Sequence, residues 1–243
     1  VVRADGPPIN GGGSSFGALV IDQWRADVAR QPYNLTINYV AQGSTFGREQ
    51  YIQGNFDWSA SDIPFTASEA ERVAGTSRAE YGYVPITAAA LGFMFNLIDP
   101  NSGTRVETLR LNRRAVCRIF TETEMRWNDP EIQSVNPEIL LPDAVVRPVV
   151  REDGSGTSYV LSEFCIAAAP DVWQTFIGAA SGAPGGDDPE FRAGRPTSNW
   201  PRLATFGTGV GADGVANQVV APTGEHTITY NQAGYARVNG FPN

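Results

Sequence analysis

Along this chain the spacing of apolar residues switches repeatedly between the helical and the strand period, and the switches fall at glycine and proline. Residues 8–13 read as a short strand and turn. Residues 15–30 read as a helix with Phe16, Leu19, Val20, Trp24 and Val28 on one side. Residues 35–40 alternate as a strand, 42–47 form a Gly/Ser turn, 48–53 a short helix and 56–61 another strand. A strand–helix–strand–helix–strand order is the pattern of a mostly parallel α/β sheet. The apolar, small-residue run 84–97 reads as a buried strand that leaves one lobe and enters the next. Beyond it, 109–120 and 129–135 look helical, 144–150 is a β-branched strand and 155–168 a helix. The tail holds a Gly-rich turn at 207–214, a helix near Val215 and a strand at 227–230, while 181–188 is the best candidate for a long exposed loop. The expected fold class is therefore α/β throughout, in two lobes: residues 1–86 and 87–243.

Composition narrows the function. The 243 residues are 42% hydrophobic, ordinary for globular domains. All 18 basic residues are Arg, against 26 acidic ones, for a formal net charge of −8. An acidic chain of this kind argues against a nucleic-acid partner or an anionic membrane surface, both of which need a basic face. No apolar run is long enough to span a bilayer, and no leader opens the chain, so any signal peptide is expected to have been removed. Cys117 and Cys165 are too few for a disulfide scaffold and lack C-x-x-C spacing, which leaves one disulfide or two buried thiols.

Three places share one construction, a strand, a tight glycine turn, a Ser or Thr, then a helix: Gly11-Gly12-Gly13-Ser14-Ser15-Phe16, Gly43-Ser44-Thr45 and Asp153-Gly154-Ser155-Gly156-Thr157. Each puts hydroxyls and free backbone N–H groups at a helix N-terminus, where unpaired donors and the positive end of the dipole attract an anion. The bland alternative for any one of them is ordinary N-capping. Asp62, at the end of Ser59-Ala60-Ser61-Asp62, and Arg151, just before the third turn, sharpen the case. Arg151 offers a planar donor fork suited to phosphate at a strand's carboxyl end, although an ion pair with Asp62 or Asp153 is the competing reading.

These four segments resemble, in order and spacing, the ligand segments of the periplasmic phosphate-binding proteins of ABC phosphate transporters (the PstS type). Trp127-Asn128-Asp129-Pro130 followed by Asn136-Pro137 is similar to a structural stretch of that family, and Ile9-Asn10-Gly11-Gly12-Gly13 to its DING subgroup. The resemblance implies a two-lobed, non-enzymatic, extracytoplasmic receptor without cofactor or metal. Such a receptor closes by hinge motion around inorganic phosphate held in an interlobe cleft and delivers it to a membrane permease. It implies that Ser15 and Phe16 supply a hydroxyl and an N–H, Ser44 another pair, and Asp62 the one acceptor. Arg151, Ser155, Gly156 and Thr157 then donate from the other lobe, with Asp153 holding Arg151. Phosphate near neutral pH keeps a proton for a carboxylate to accept, whereas sulfate has none and meets only repulsion, so Asp62 is the expected selectivity residue. A Cys117–Cys165 bridge is likewise implied, since DING-type relatives carry one in a similar place. Two departures stand out. Relatives continue past the position of Asn243 with a segment that completes the first lobe, expected to be lacking here, and Phe46 replaces a small residue and is expected to crowd the second turn.

Other motifs carry less. Gly209-Val210-Gly211-Ala212-Asp213-Gly214 fits G-x-G-x-x-G but reads as a surface turn, for want of an apolar strand before it. His226 is the only histidine, so neither a triad nor a multi-histidine metal site is supported. Glu122, Glu124 and Asp129 read as a solvated helix end, and Asn34-Leu35-Thr36 is a sequon that matters only in a secretory pathway. The rivals to a transport receptor are a surface or scaffold domain of the same fold with no transport role, and, with less support, a phosphatase.

Overall fold

The computed structural model describes residues 6–243. The chain divides into two units: residues up to Ala89 together with Asp153–Gly156, and Ala90–Glu152 together with Thr157–Asn243.

The first unit contains β1 (Ile9–Gly13), α1 (Ala18–Val28), β2 (Ile37–Val40), α2 (Ser44–Ile52), β3 (Trp58–Ala60) and α3 (Ala67–Ala74). Its sheet runs β2-β1-β3, all parallel, with Gly11 opposite both Tyr39 and Trp58. The bare backbone of β1 is a packing requirement. A Cβ on Gly47 of α2 would stand 2.4 Å from the Gly13 Cα, so only two glycines let α2 lie this close to the central strand. Buried apolar side chains are few: Ala18, Ile21, Ile52, Ala60, Ile63 and Val73.

Three expectations fail in this unit. Helix α1 buries Ala18 and Ile21, while Leu19 and Trp24, expected to face inward, are exposed. The inward stripe continues through Arg25, whose Nε donates to the Ile37 carbonyl at 2.8 Å, so small and amphipathic residues take the place that counting large apolar ones assigned elsewhere. Helix α2 starts at Ser44, not Arg48, because the Ser-Thr-Phe-Gly stretch that reads as a turn is its first turn. Residues 84–90 are exposed and form no strand, and only Leu91–Phe95 of the expected crossover pairs. Helix α3 was not foreseen, although Thr66 and Glu69 close a full capping box at its start.

The second unit contains β4 (Leu91–Phe95), α4 (Arg113–Ile119), α5 (Pro130–Gln133), β5 (Arg147–Arg151), α6 (Gly156–Ala168), α7 (Pro170–Ala179), α8 (Pro189–Arg192), β6 (Gly207–Gly209), α9 (Gly211–Val220), β7 (Thr227–Gln232) and α10 (Ala233–Asn239). Its sheet runs β4-β7-β5-β6, with β4 antiparallel to β7 and the other pairs parallel. The α/β class with mostly parallel, helix-flanked sheets is thus what the chain adopts. Trp173, Phe176, Phe191 and Trp200 pack edge-on and tilted around one another, with Trp173 and Trp200 centroids 5.6 Å apart, and Phe120 and Tyr230 extend the cluster. Cys117 on α4 and Cys165 on α6 form a disulfide inside this core, with Cα atoms 5.4 Å apart.

Two motifs change meaning in this unit. The 209–214 glycine motif is not a surface turn: Gly209 ends β6 opposite Arg151, Gly211 has φ +70°, and α9 starts there. The acidic group is not merely solvated, because Arg118 donates to Glu122 and Asp129 and also to Glu131. Its guanidinium is held protonated far above the usual range, chiefly by the Glu122 bond. Among the described residues no helix is long and apolar enough to cross a membrane.

Candidate functional site

Because β1, β2 and β3 are parallel, the loops after them leave one edge of their sheet, the edge at which open α/β sheets take ligands. The first loop is anchored by backbone: Ser14 N–H donates to the Ala60 carbonyl at 2.8 Å, and the Tyr39 hydroxyl donates to the Ser14 carbonyl at 2.6 Å. Ser14 Oγ donates to Asp62 Oδ1 and accepts the Phe16 N–H at 3.2 Å. In the second loop Gly43, at φ +96°, donates its N–H to the Gly13 carbonyl and sets Ser44 at the first position of α2. Ser44 Oγ, 1% exposed, accepts the Asp62 N–H at 3.2 Å. Ser14, Ser15 and Ser44 are buried whereas Asp62 as a residue is exposed, so the Asp62 turn lies over a floor of sequestered hydroxyls, one of which bonds its carboxylate.

The third turn divides between the units. Asp153, Gly154, Ser155 and Gly156 group with the first unit, where Thr45 N–H donates to the Gly154 carbonyl at 3.2 Å. A Cβ on Gly156 would come 2.7 Å from both Asp62 Cβ and Ser44 Oγ, which excludes any larger residue there. Arg151 and Thr157, at either end of the turn, belong to the second unit and are each 3% exposed. Arg151 closes β5, and its N–H donates to the Tyr230 hydroxyl, which in turn sits 2.7 Å from Ser158 Oγ.

Of the sequence-derived residues, Ser15, Phe16, Ser44, Asp62, Asp153, Ser155 and Gly156 fall in one unit. Ser14 carries a bond to Asp62 that the sequence reading did not assign to it. Phe46, expected to crowd the second turn, packs edge-on against Phe56 at 5.8 Å. The reading also missed Arg48, buried beside this loop and bonded to Glu69, Ser61 and Thr45. Nothing in its spacing distinguishes it from a surface arginine. Chemically the arrangement is rich in hydroxyl and helix-end N–H donors around one carboxylate, which suits a protonated oxyanion. Among the described residues no group of three or more His, Cys, Asp or Glu side chains could hold a metal ion.

The chain is of the α/β class with mostly parallel sheets and belongs to the PBP superfamily, whose domain spans residues 3–241. It is similar to the phosphate-binding protein PstS of Xylella fastidiosa (strain Temecula1), 32% identical over 180 residues that cover 73% of this chain and 46% of that protein. PstS of Methanocaldococcus jannaschii is 26% identical over 233 residues, covering 95% of this chain and 54% of that one. The chain thus spans about half the length of the curated relatives it matches. In fold it is similar to the phosphate-bound structure of the high-affinity periplasmic phosphate-binding protein PfluDING, at TM-score 0.64 and 17% identity, over 95% of this chain and 57% of that one. All three carry the names of phosphate-binding proteins.

Proposed function

We propose that the chain binds inorganic phosphate outside the cytoplasm for delivery to an ABC-type permease. The observation that carries this reading is the Asp62 carboxylate tied to Ser14 Oγ, with its own N–H on Ser44 Oγ, at the ends of parallel strands. Ser15, Phe16, Ser44, Ser155, Gly156 and Thr157 donate hydroxyl and backbone N–H groups to the anion. Arg151 supplies the positive charge, and Asp153 orients it. Asp62 accepts a hydrogen bond from the proton that phosphate retains near pH 7, so sulfate, which has no such proton, is refused by an acceptor it cannot satisfy. The names of the relatives support the ligand, and the Cys117–Cys165 disulfide supports an oxidising compartment.

Titration calorimetry in phosphate-free buffer tests the reading: a folded sample is expected to bind phosphate one to one, and absence of heat would refute it. Asp62→Asn is expected to narrow the phosphate-over-sulfate preference more than it weakens phosphate binding itself. Unchanged selectivity in competition binding would remove Asp62 from the proposed role.

A further inference from the structure

Arg48 is buried within the first unit, 3% exposed, and paired with Glu69, itself 6% exposed. A buried ion pair is costly and adds little net stability compared with a well-packed apolar pair, so its place in the fold calls for another account. Two donors of the Arg48 fork reach other segments, and the third reaches back to the first turn of its own helix. Nε donates to Glu69 Oε2 at 2.9 Å, Nη1 to Ser61 Oγ at 2.9 Å, and Nη2 to Thr45 Oγ1 at 3.4 Å. Glu69 Oε2 also accepts the Thr66 N–H, which closes the capping box of α3. Ser61 Oγ, held by Arg48, donates to the Ile63 carbonyl at 2.6 Å and accepts the Ile63 N–H at 3.4 Å, so it pins both ends of the tight turn whose middle residue is Asp62. Thr45 follows Ser44, whose hydroxyl meets the Asp62 N–H, and its own N–H meets Gly154.

We propose that Arg48 is the positioning residue of the oxyanion site, fixing the Asp62 turn through Ser61 and the start of α2 through Thr45, and thereby setting the selectivity that Asp62 exerts. The assignment rests on the phosphate-binding reading of the site. Arg48 acts from behind, through planar geometry that a point charge cannot copy. One guanidinium holds oxygens of the Ser61 turn and of α3 while reaching back along its own helix to Thr45, whereas an ammonium in its place keeps the charge opposite Glu69 and loses the simultaneous hold on Ser61 and Thr45.

Two variants test this on the full chain, Arg48→Lys and the double variant Arg48→Met/Glu69→Leu, which removes both buried charges together. Phosphate and sulfate affinities, thermal melting and site-resolved amide hydrogen exchange are measured for each. In both, phosphate affinity is expected to fall about tenfold or more, the equilibrium counterpart of one charge-assisted hydrogen bond, and the phosphate-over-sulfate ratio to shrink with it. The Asp62 and Ile63 amides are expected to exchange faster, while Ile52 and Val73 keep parent protection, a local signature that general loosening would not produce. Folded variants with parent affinity, parent ratio and unchanged exchange at Asp62 and Ile63 would overturn the proposal. Should the double variant fail to fold, Arg48→Lys decides alone. Should the parent bind no phosphate, the functional reading falls, and the exchange rates at Asp62 and Ile63 still decide whether Arg48 positions that turn.

Discussion

The two units solve the problem of stability differently. The second buries a contiguous core in which Trp127, Trp173, Trp200, Phe95, Phe120, Phe176 and Phe191 are fully enclosed, and staples it with a disulfide. Among its described residues the first buries six apolar side chains, a glycine strand and an Arg–Glu pair, and leaves Leu19, Trp24, Tyr33, Tyr83 and Val84 in solvent. Apolar burial is the main favourable term in folding, so the second unit holds most of the stabilising area. The first holds its interior together largely by hydrogen bonds that fix its loops. The lesson is that position in this fold, not residue type, decides what an aromatic or an arginine does.

The sharpest break of that contrast is Trp200→Ala, which removes an indole packed against Trp173, Phe176 and Tyr230 and bonded through Nε1 to the Phe120 carbonyl. Urea denaturation should show a loss of up to about 5 kcal/mol, whereas Trp24→Ala on the exposed face of α1 should stay within about 0.5 kcal/mol. Similar losses for the two would erase the asymmetry. Next comes reduction of Cys117–Cys165, which opens a loop of 48 residues. Chain entropy puts its contribution at about 4 kcal/mol. Melting with and without reductant, with intact mass confirming the bridge, provides the check, and two alkylatable thiols in the unreduced, denatured protein would remove it. Thr66→Ala, which breaks the capping box of α3, should cost about 1 kcal/mol and loosen the first unit alone; faster amide exchange across the second unit would contradict the division.

The smallest effect concerns acid. Arg114 on α4 holds the Asp171 carboxyl on α7 down to about 2, chiefly by its paired hydrogen bonds. A depressed carboxyl contributes stability that is present above its ordinary value of 3.8 and is lost as pH falls toward about 2. Asp171→Asn should therefore flatten the stability profile of the second unit across that window, leaving the variant slightly less stable than the parent at neutral pH and equal to it once the pH falls to about 2. Parallel profiles for parent and variant would show that the exposed pair contributes nothing.

The alternation of strands and helices was legible because period and glycine punctuation report backbone state directly, but α3, α7, α8 and α10 were not read at all. Element ends were not legible either. The first turn of α2 carries Ser44 and Gly47, turn-like residues required by the close approach to β1 rather than by any turn. Strand β6 is Gly-Thr-Gly, with no side-chain signal, and pairs through backbone alone. Residues 84–90 have a strand's composition, but composition does not supply a neighbouring strand. The glycine turns could be read because each is a local pattern, and Glu69 could have been reached through Thr66-x-x-Glu69. Arg48 and Ser14 could not, since their roles depend on contacts between segments far apart in the chain.

The unequal tryptophans give the protein two optical reporters that need no label. Trp127, Trp173 and Trp200 are sealed in the second unit, while Trp24 is 41% exposed and Trp58 is half-buried against Tyr39 in the first. The sealed three should emit at short wavelength and ignore iodide, and Trp24 should emit further to the red and be quenched by it. Collisional quenching thereby separates the two signals in one native cuvette, and a shift confined to the unquenchable fraction would report on the second unit while the first stays silent.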